Sequence, residues 1–367
     1  MDVAPIVVSR SAIVTRKLCE MKRYRNYHQP HPDFPVAEQV GGLVPCEELD
    51  KTHLAKQRGI WLHGCLEQLI KGNDWEAWLQ EQVNPQQVAA LLTNAPTEML
   101  QEQILLVRRA TIGWKHQRGH LLDQYTPVSA EEEWSWGMSP LVAQTLRLDQ
   151  IWRNKETGQL LIVDFKSLGR PDANWIDRLR NSDQTHLYIQ ALTERSGERI
   201  EGIQYEGIVI GKFEDGIQKS PIVRAYLNNR NAFIYSAKWS AGSTMVSTKE
   251  WTDEAWLNWI SHSGVLGDLY PTTGVLNPPP AQLLQTKAAT ITAEVEWADK
   301  VAQIEAEPDE EAREHRLHML VERNADACLK FGWGYACPYM GLCWDGATPD
   351  AESYSPRVDH HAVKEET

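Results

Sequence analysis

Residues 145–167, TLRLDQIWRNKETGQLLIVDFKS, decide how the rest of the chain is read. Two apolar runs flank Lys155-Glu156-Thr157-Gly158, a polar turn with glycine at its end, which is the pattern of a β-hairpin. With those four residues as the loop, Asn154 faces Gln159. Counting back along both strands then sets Asp149 opposite Asp164, with Cβ atoms roughly 5 Å apart. Lys166 stands two residues beyond Asp164 and so projects from the same face. Two carboxylates and a lysine are therefore expected on one patch of a largely apolar hairpin.

Facing carboxylates repel, and each raises the other's pKa unless a cation intervenes. Hard oxygen ligands at this spacing suit Mg²⁺ or Mn²⁺, which would bridge them and also hold a phosphate oxygen. The lysine would then position or deprotonate a water, or stabilise charge developing on phosphorus. Taken alone, a D-x-K tripeptide more often marks a salt-bridged sheet edge. Two other features bear on it. Gln184 and Tyr188, in DQTHLYIQAL, lie four apart and share a helix face. His63, in GIWLHGCLEQL, sits on an earlier helical stretch, where a lone histidine is ordinarily a packing or capping residue.

The surrounding chain has 367 residues, room for one large domain or two ordinary ones. With 42% hydrophobic and 24% charged residues it is a globular composition, not a disordered one. Helical spacing covers 51–71, 75–109 with interruptions near Pro85 and Pro96, 174–195, 252–261 and 282–325. Strand texture covers EEEWSWGM, the hairpin, YEGIVIGKF and PIVRAYL. This order predicts an α/β fold, a mixed sheet flanked by helices. PTTGVLNPPP (271–280) reads as a linker, because a helix cannot continue through it. The polar residues after Asp345 read as a disordered tail, and their His360-His361 pair as solvated.

The net charge of −13, from 37 basic and 50 acidic residues, excludes a broadly basic binder but permits a local basic groove. Three clusters offer one. Arg108, Arg109, Lys115 and Arg118 surround Trp114; Lys17, Lys22, Arg23 and Arg25 interleave with Tyr24 and Tyr27; Arg170, Arg178 and Arg180 follow the hairpin. Cations beside aromatics suit single strands, whose phosphates they neutralise and whose bases stack. No apolar run is long enough for a transmembrane helix, and the opening MDVAPIVVSRSAIV lacks a signal-peptide pattern. A cytoplasmic protein without membrane contact is expected, in which six cysteines have little use as disulfides.

His63, Asp149, Asp164-Phe165-Lys166 and Gln184-x-x-x-Tyr188, in this order and spacing, resemble the PD-(D/E)XK nuclease superfamily, and within it the RecB-like exonucleases. The resemblance implies a restriction-endonuclease-like fold. It implies that His63, Asp149, Asp164 and the backbone carbonyl of Phe165 bind Mg²⁺ or Mn²⁺, that Lys166 is catalytic, and that Gln184 and Tyr188 border the site and contact DNA. The proline of the family name is absent, Arg147-Leu148 standing before Asp149. Glu131, Glu132 or Glu133 would assist at the metal, with no choice among them.

The cysteines resemble the same branch, some members of which hold a [4Fe–4S] cluster with one ligand before the nuclease core and three after it. Cys19 occupies the early position, and Cys328, Cys337 and Cys343, in CLKFGWGYACPYMGLC, the late ones. The gap between Cys328 and Cys337 is longer than in many members, a spacing similar to phage-encoded ones. Four thiolates suit iron–sulfur or zinc, and spacing alone does not separate them. Cys46 and Cys65 are expected to be structural. The implied organisation is an N-terminal segment (1–50), a nuclease core (51–270), a C-terminal helical segment (271–345) and a tail (346–367), the outer segments joined by the metal-cluster clasp. The implied activity is exonucleolytic cleavage at single-stranded or duplex DNA ends, in phage or bacterial recombination or repair beside a single-strand annealing protein, or in CRISPR adaptation. A non-catalytic DNA-binding scaffold and an endonuclease are the rival readings.

Overall fold

The chain forms, in order, strands β1 (Ile6–Ser9), β2 (Leu43–Pro45), β3 (Tyr125–Gly137), β4 (Val142–Asn154), β5 (Leu160–Leu168) and β6 (Ile200–Val209), then shorter strands of which Thr272–Leu276 returns to β6. The computed structural model describes residues 5–30, 42–83, 97–169, 174–214, 217–220, 222–227, 233–234, 244–262, 266–324, 337–344, 349–350 and 353–356.

β4 and β5 form the hairpin in the expected register, Gln150 pairing with Val163 and Arg153 with Leu160. The Asn154 N–H donates to the Gln159 carbonyl at 2.9 Å. Gly158 closes the turn at φ 72°, a left-handed conformation that a Cβ would penalise. β5 then runs parallel to β6, from Leu160 against Ile200 to Leu168 against Val209. A parallel pair needs a crossover, and the helix Asp183–Ser196 lies in it. β5 is buried from Leu160 to Phe165, so its sequence reads as an unbroken apolar run interrupted only by Asp164.

The chain divides into two units, and β3 and β4 each run from one into the other. One comprises Leu54–Glu133 and Arg147–Leu284. Its core joins Trp61, Leu62, Leu66, Trp114, Trp152, Phe165, Trp256 and Tyr270, which accounts for part of the chain's 15 tryptophans. Helices Trp75–Gln82 and Thr97–Arg118 add Leu79, Leu106, Val107 and Ala110 to it, in and beyond the span 75–109 read as helical with interruptions. Asp74 caps the first by accepting the Glu76 and Ala77 N–H groups.

The other unit comprises Met1–His53, Trp134–Leu146 and Gln285–Thr367. Here β1 runs parallel to the start of β4, Ile6 against Val142. Met21 and Tyr24 of the helix Glu20–Tyr27 pack into one core with Trp297, Ile304, Leu317, Tyr339 and Leu342, so early and late parts of the chain share it. Residues 134–146 join this unit, although they fall within the span expected as core.

Two expectations are corrected. The linker 271–280 contains the strand Thr272–Leu276, antiparallel to β6; backbone pairing with a buried neighbour outweighs its proline-rich flank. The tail is not wholly unstructured, because Tyr354–Pro356 pairs with β2 and the buried Tyr354 donates its hydroxyl to the Pro338 carbonyl at 2.8 Å. His360 and His361 lie outside the described residues.

Candidate active site

His63 comes from the helix Cys46–Ile70. The next residue fixes where that helix lies: a Cβ at Gly64 would sit 2.0 Å from the Trp78 ring, so only glycine permits the approach. The His63 ring meets Phe165 edge-on at 6.3 Å. Its Nδ1 lies 3.4 Å from Asp149 Oδ2 and 3.8 Å from Glu131 Oε1. Asp149 Oδ2 also accepts the Phe165 N–H at 2.8 Å, which ties the β4 carboxylate to the β5 backbone.

Glu131 reaches this point through a local break in β3. Its φ is 51°, the left-handed region, and among the described residues no other non-glycine adopts a positive φ. Glu131 Oε2 accepts from Arg147 Nε at 2.5 Å. Glu132 pairs with Arg195 instead. Of the three glutamates that sequence left undivided, Glu131 is the one beside His63 and Asp149.

Asp164 is buried, and both its oxygens are engaged. Oδ2 accepts from Gln184 Nε2 at 2.8 Å and Oδ1 pairs with Lys166 Nζ. Lys166 Nζ lies 5.4 Å from the Tyr205 ring centroid. Gln184 opens the helix Asp183–Ser196, whose first turn is capped by Ser182 Oγ accepting the Thr185 N–H. Tyr188 is buried one turn further on.

Electrostatics follow from this crowding. Burial, then the negative charge of Asp164, pushes Asp149 up to about 6. Burial lowers the His63 pKa, but Glu131, Asp149 and Asp164 outweigh it and the net shift is upward. Burial likewise opposes ionisation of Glu131, and His63 with Arg147 reverses this, holding its carboxyl low. His63, Glu131 and Asp149 offer ligand atoms within 4.8 Å of one another. An imidazole nitrogen with hard carboxylate oxygens, in a site where neighbouring negative charges raise the Asp149 pKa, fits Mg²⁺ or Mn²⁺.

The PD-(D/E)XK nuclease superfamily model matches residues 36–343, most of the chain and all of these positions. The chain belongs to the PD-(D/E)XK nuclease superfamily. A search of curated proteins gives no match. Membership makes a metal-dependent nuclease with DNA as substrate the general expectation. No helix among the described residues is long and apolar enough to cross a membrane.

The basic path expected on this chain needs correction. Arg109 is fully buried and donates to the Ile222, Thr248 and Trp251 carbonyls, to Thr248 Oγ1 and to Asp253. Trp114 is fully buried and donates to Glu206 Oε2 at 3.3 Å; Arg118 pairs with the same carboxylate at 3.3 Å and donates to the Tyr270 carbonyl. Arg109 and Trp114 are thereby committed to interior carboxylates and carbonyls, while Arg118 is only partly buried. Arg108 pairs with Asp253 at 2.9 Å while remaining partly exposed, and Lys115 is exposed. Arg170 lies outside the described residues. Most of the N-terminal cluster is interior too: Arg23 binds Glu294 at 2.9 Å and stacks on Trp297, Arg25 pairs with Glu314, and Lys22 is buried, while Lys17 is exposed. Their partners lie far away in sequence, so no local pattern separates such interior cations from surface ones.

Cys19, Cys337 and Cys343 are buried in one core. Burial pushes the Cys343 thiol up to about 11, with Arg25 opposing and Cys337 and Cys19 adding to the rise. Cys328 and the Cys46 side chain lie outside the described residues. Cys65 belongs to the core of the other unit, where burial pushes its thiol up to about 12.

Proposed function

We propose that the protein is a metal-dependent deoxyribonuclease of the RecB-like branch that digests DNA from its ends and carries a [4Fe–4S] clasp. The observation that carries the catalytic part is the meeting of His63, Glu131 and Asp149 beside the Asp164–Lys166 pair. His63, Asp149, Asp164 and the Phe165 carbonyl would hold Mg²⁺ or Mn²⁺, with Glu131 adjoining. When bound, the metal supplies Lewis acidity at the scissile phosphate and its attacking water. Lys166 places a positive charge where the phosphoryl oxygens become more negative. Gln184 holds Asp164 in one orientation through its 2.8 Å hydrogen bond, and Gln184 and Tyr188 orient the strand. The product is a cleaved phosphodiester with its phosphate on the 5′ side.

The clasp reading is supported by three ligand cysteines in one buried core that joins both ends of the chain. Burial keeps the Cys343 thiol protonated unless a metal replaces the proton, which suits this position to metal binding. Cys328 would complete the set. Recombination or repair in a phage or its host, beside a single-strand annealing protein, is the setting that suits an end-processing nuclease.

Anaerobically purified protein tests both parts. Brown colour with about four iron atoms per chain is expected for one cubane cluster; zinc without iron would refute the cluster. End-labelled linear DNA, single- or double-stranded, should shorten only with Mn²⁺ or Mg²⁺, while covalently closed circles survive. Cleaved circles would overturn the exonuclease reading.

A further inference from the structure

We infer that Arg147 is a DNA-phosphate contact at the edge of the proposed metal site, and that in free protein it occupies Glu131, the carboxylate adjoining that site, which it releases to the metal when DNA binds. The inference rests on the nuclease reading and deepens it.

Arg147 stands two residues before Asp149 on β4, so the two project from the same face of that strand. Its side chain is 57% exposed, whereas the cations expected to line a DNA path, Arg109 and Arg118, are 0% and 17% exposed. Its Nε lies 2.5 Å from Glu131 Oε2, and the other oxygen of that carboxylate faces His63 Nδ1 at 3.8 Å. Arg147 thus reaches the group that completes the donor trio, from the solvent side. A guanidinium is a planar fork that pairs with phosphate as readily as with carboxylate. Each partner it can take has a competing partner in the working site. Glu131 has the divalent cation, whose two charges attract it more strongly than one, and Arg147 has the substrate phosphate. Exchange of one ion pair for two conserves the charge balance and leaves no group unpaired. The left-handed backbone at Glu131 is consistent with a residue held where folding alone would not put it.

The exchange makes opposite predictions for the two partners, measured without turnover. Binding of a fluorescent single-stranded oligonucleotide is followed in EDTA against salt, and Mn²⁺ binding by calorimetry without DNA. The Arg147→Ala protein should bind the oligonucleotide about tenfold more weakly, with a log–log salt slope shallower by about 0.7, one single-strand phosphate contact. It should bind Mn²⁺ at least as tightly as the unaltered protein. Arg147→Lys should keep the slope. Glu131→Gln should bind Mn²⁺ about tenfold more weakly with undiminished DNA affinity. Unchanged oligonucleotide affinity and slope in Arg147→Ala would overturn the phosphate contact. Weaker Mn²⁺ binding in Arg147→Ala would overturn the exchange, since the arginine would then only be holding Glu131 in place. An unaltered protein that binds neither Mn²⁺ nor DNA would instead remove the nuclease reading itself.

Discussion

Asp164 shows how much chemistry one buried carboxylate can organise. One oxygen fixes the Gln184 amide and the other the Lys166 ammonium. Asp164→Asn keeps the shape but removes the charge that holds Lys166 and would bind metal. It should leave a folded protein whose cleavage rate falls by a factor on the order of 10² or more. Asp164→Ala should in addition cost about 1–3 kcal/mol of stability, because Gln184 and Lys166 lose their partner inside the protein. Cleavage kinetics on linear DNA, read beside a denaturant melt, check both. Near-normal cleavage by folded Asp164→Asn would sink its catalytic assignment. At this scale Asp149, Asp164 and Lys166 were legible, because a strand's two-residue period and a short turn place them without reference to the rest of the fold. Glu131 was not, because the alternation that would assign its face breaks at its own φ of 51°.

The elements that carry the site depend on close approaches that sequence does not announce. The helix Cys46–Ile70 brings His63 to the hairpin, and Gly64 lets it pack on Trp78. On helix propensity alone, Gly64→Ala should gain about 1 kcal/mol. The 2.0 Å approach reverses the sign, since the ring or the helix must move. A net loss of about 1–3 kcal/mol is expected, as for overpacked cores, with weaker Mn²⁺ binding because His63 is displaced. Thermal denaturation and Mn²⁺ calorimetry measure the two effects, and a more stable Gly64→Ala protein would show that the contact relaxes freely. Residues 271–280 make the same point for a strand. Their prolines and glycine are local signals for a linker, and β6 supplies the long-range partner that makes Thr272–Leu276 a strand.

At the scale of the whole chain, early and late segments share one unit, and that unit holds His28. His28 Nε2 accepts from Trp297 Nε1 at 3.2 Å, a bond that needs the unprotonated ring. Burial, then the positive charge of Arg23, pushes His28 down to about 4, with Glu294 opposing. An unfolded histidine titrates near 6.5, so between 6.5 and 4 the unfolded state binds the extra proton. Stability from this group is therefore complete above about 6.5 and is lost as pH falls toward 4, by at most about 3 kcal/mol. Denaturant melts between pH 7 and 5 should show that fall, and His28→Gln, which keeps an acceptor for Trp297, should flatten it. An equal fall in the variant would place the pH dependence elsewhere.

What the sequence determined by itself is local. The hairpin register, the helix carrying Gln184 and Tyr188, and the apolar run of β5 follow from periods of two and 3.6 residues and from one turn. The order of His63, Asp149, Asp164 and Lys166 sufficed to place the chain in its superfamily. Tertiary structure decided which charges face water. Arg109, Arg23 and Arg25 were sorted into the interior by carboxylates and carbonyls distant in sequence, while Arg147 was left exposed beside the His63, Glu131 and Asp149 group. The physical reason is that a cation's environment depends on where its counter-charge comes to rest, and that is set by long-range packing, which no local pattern encodes.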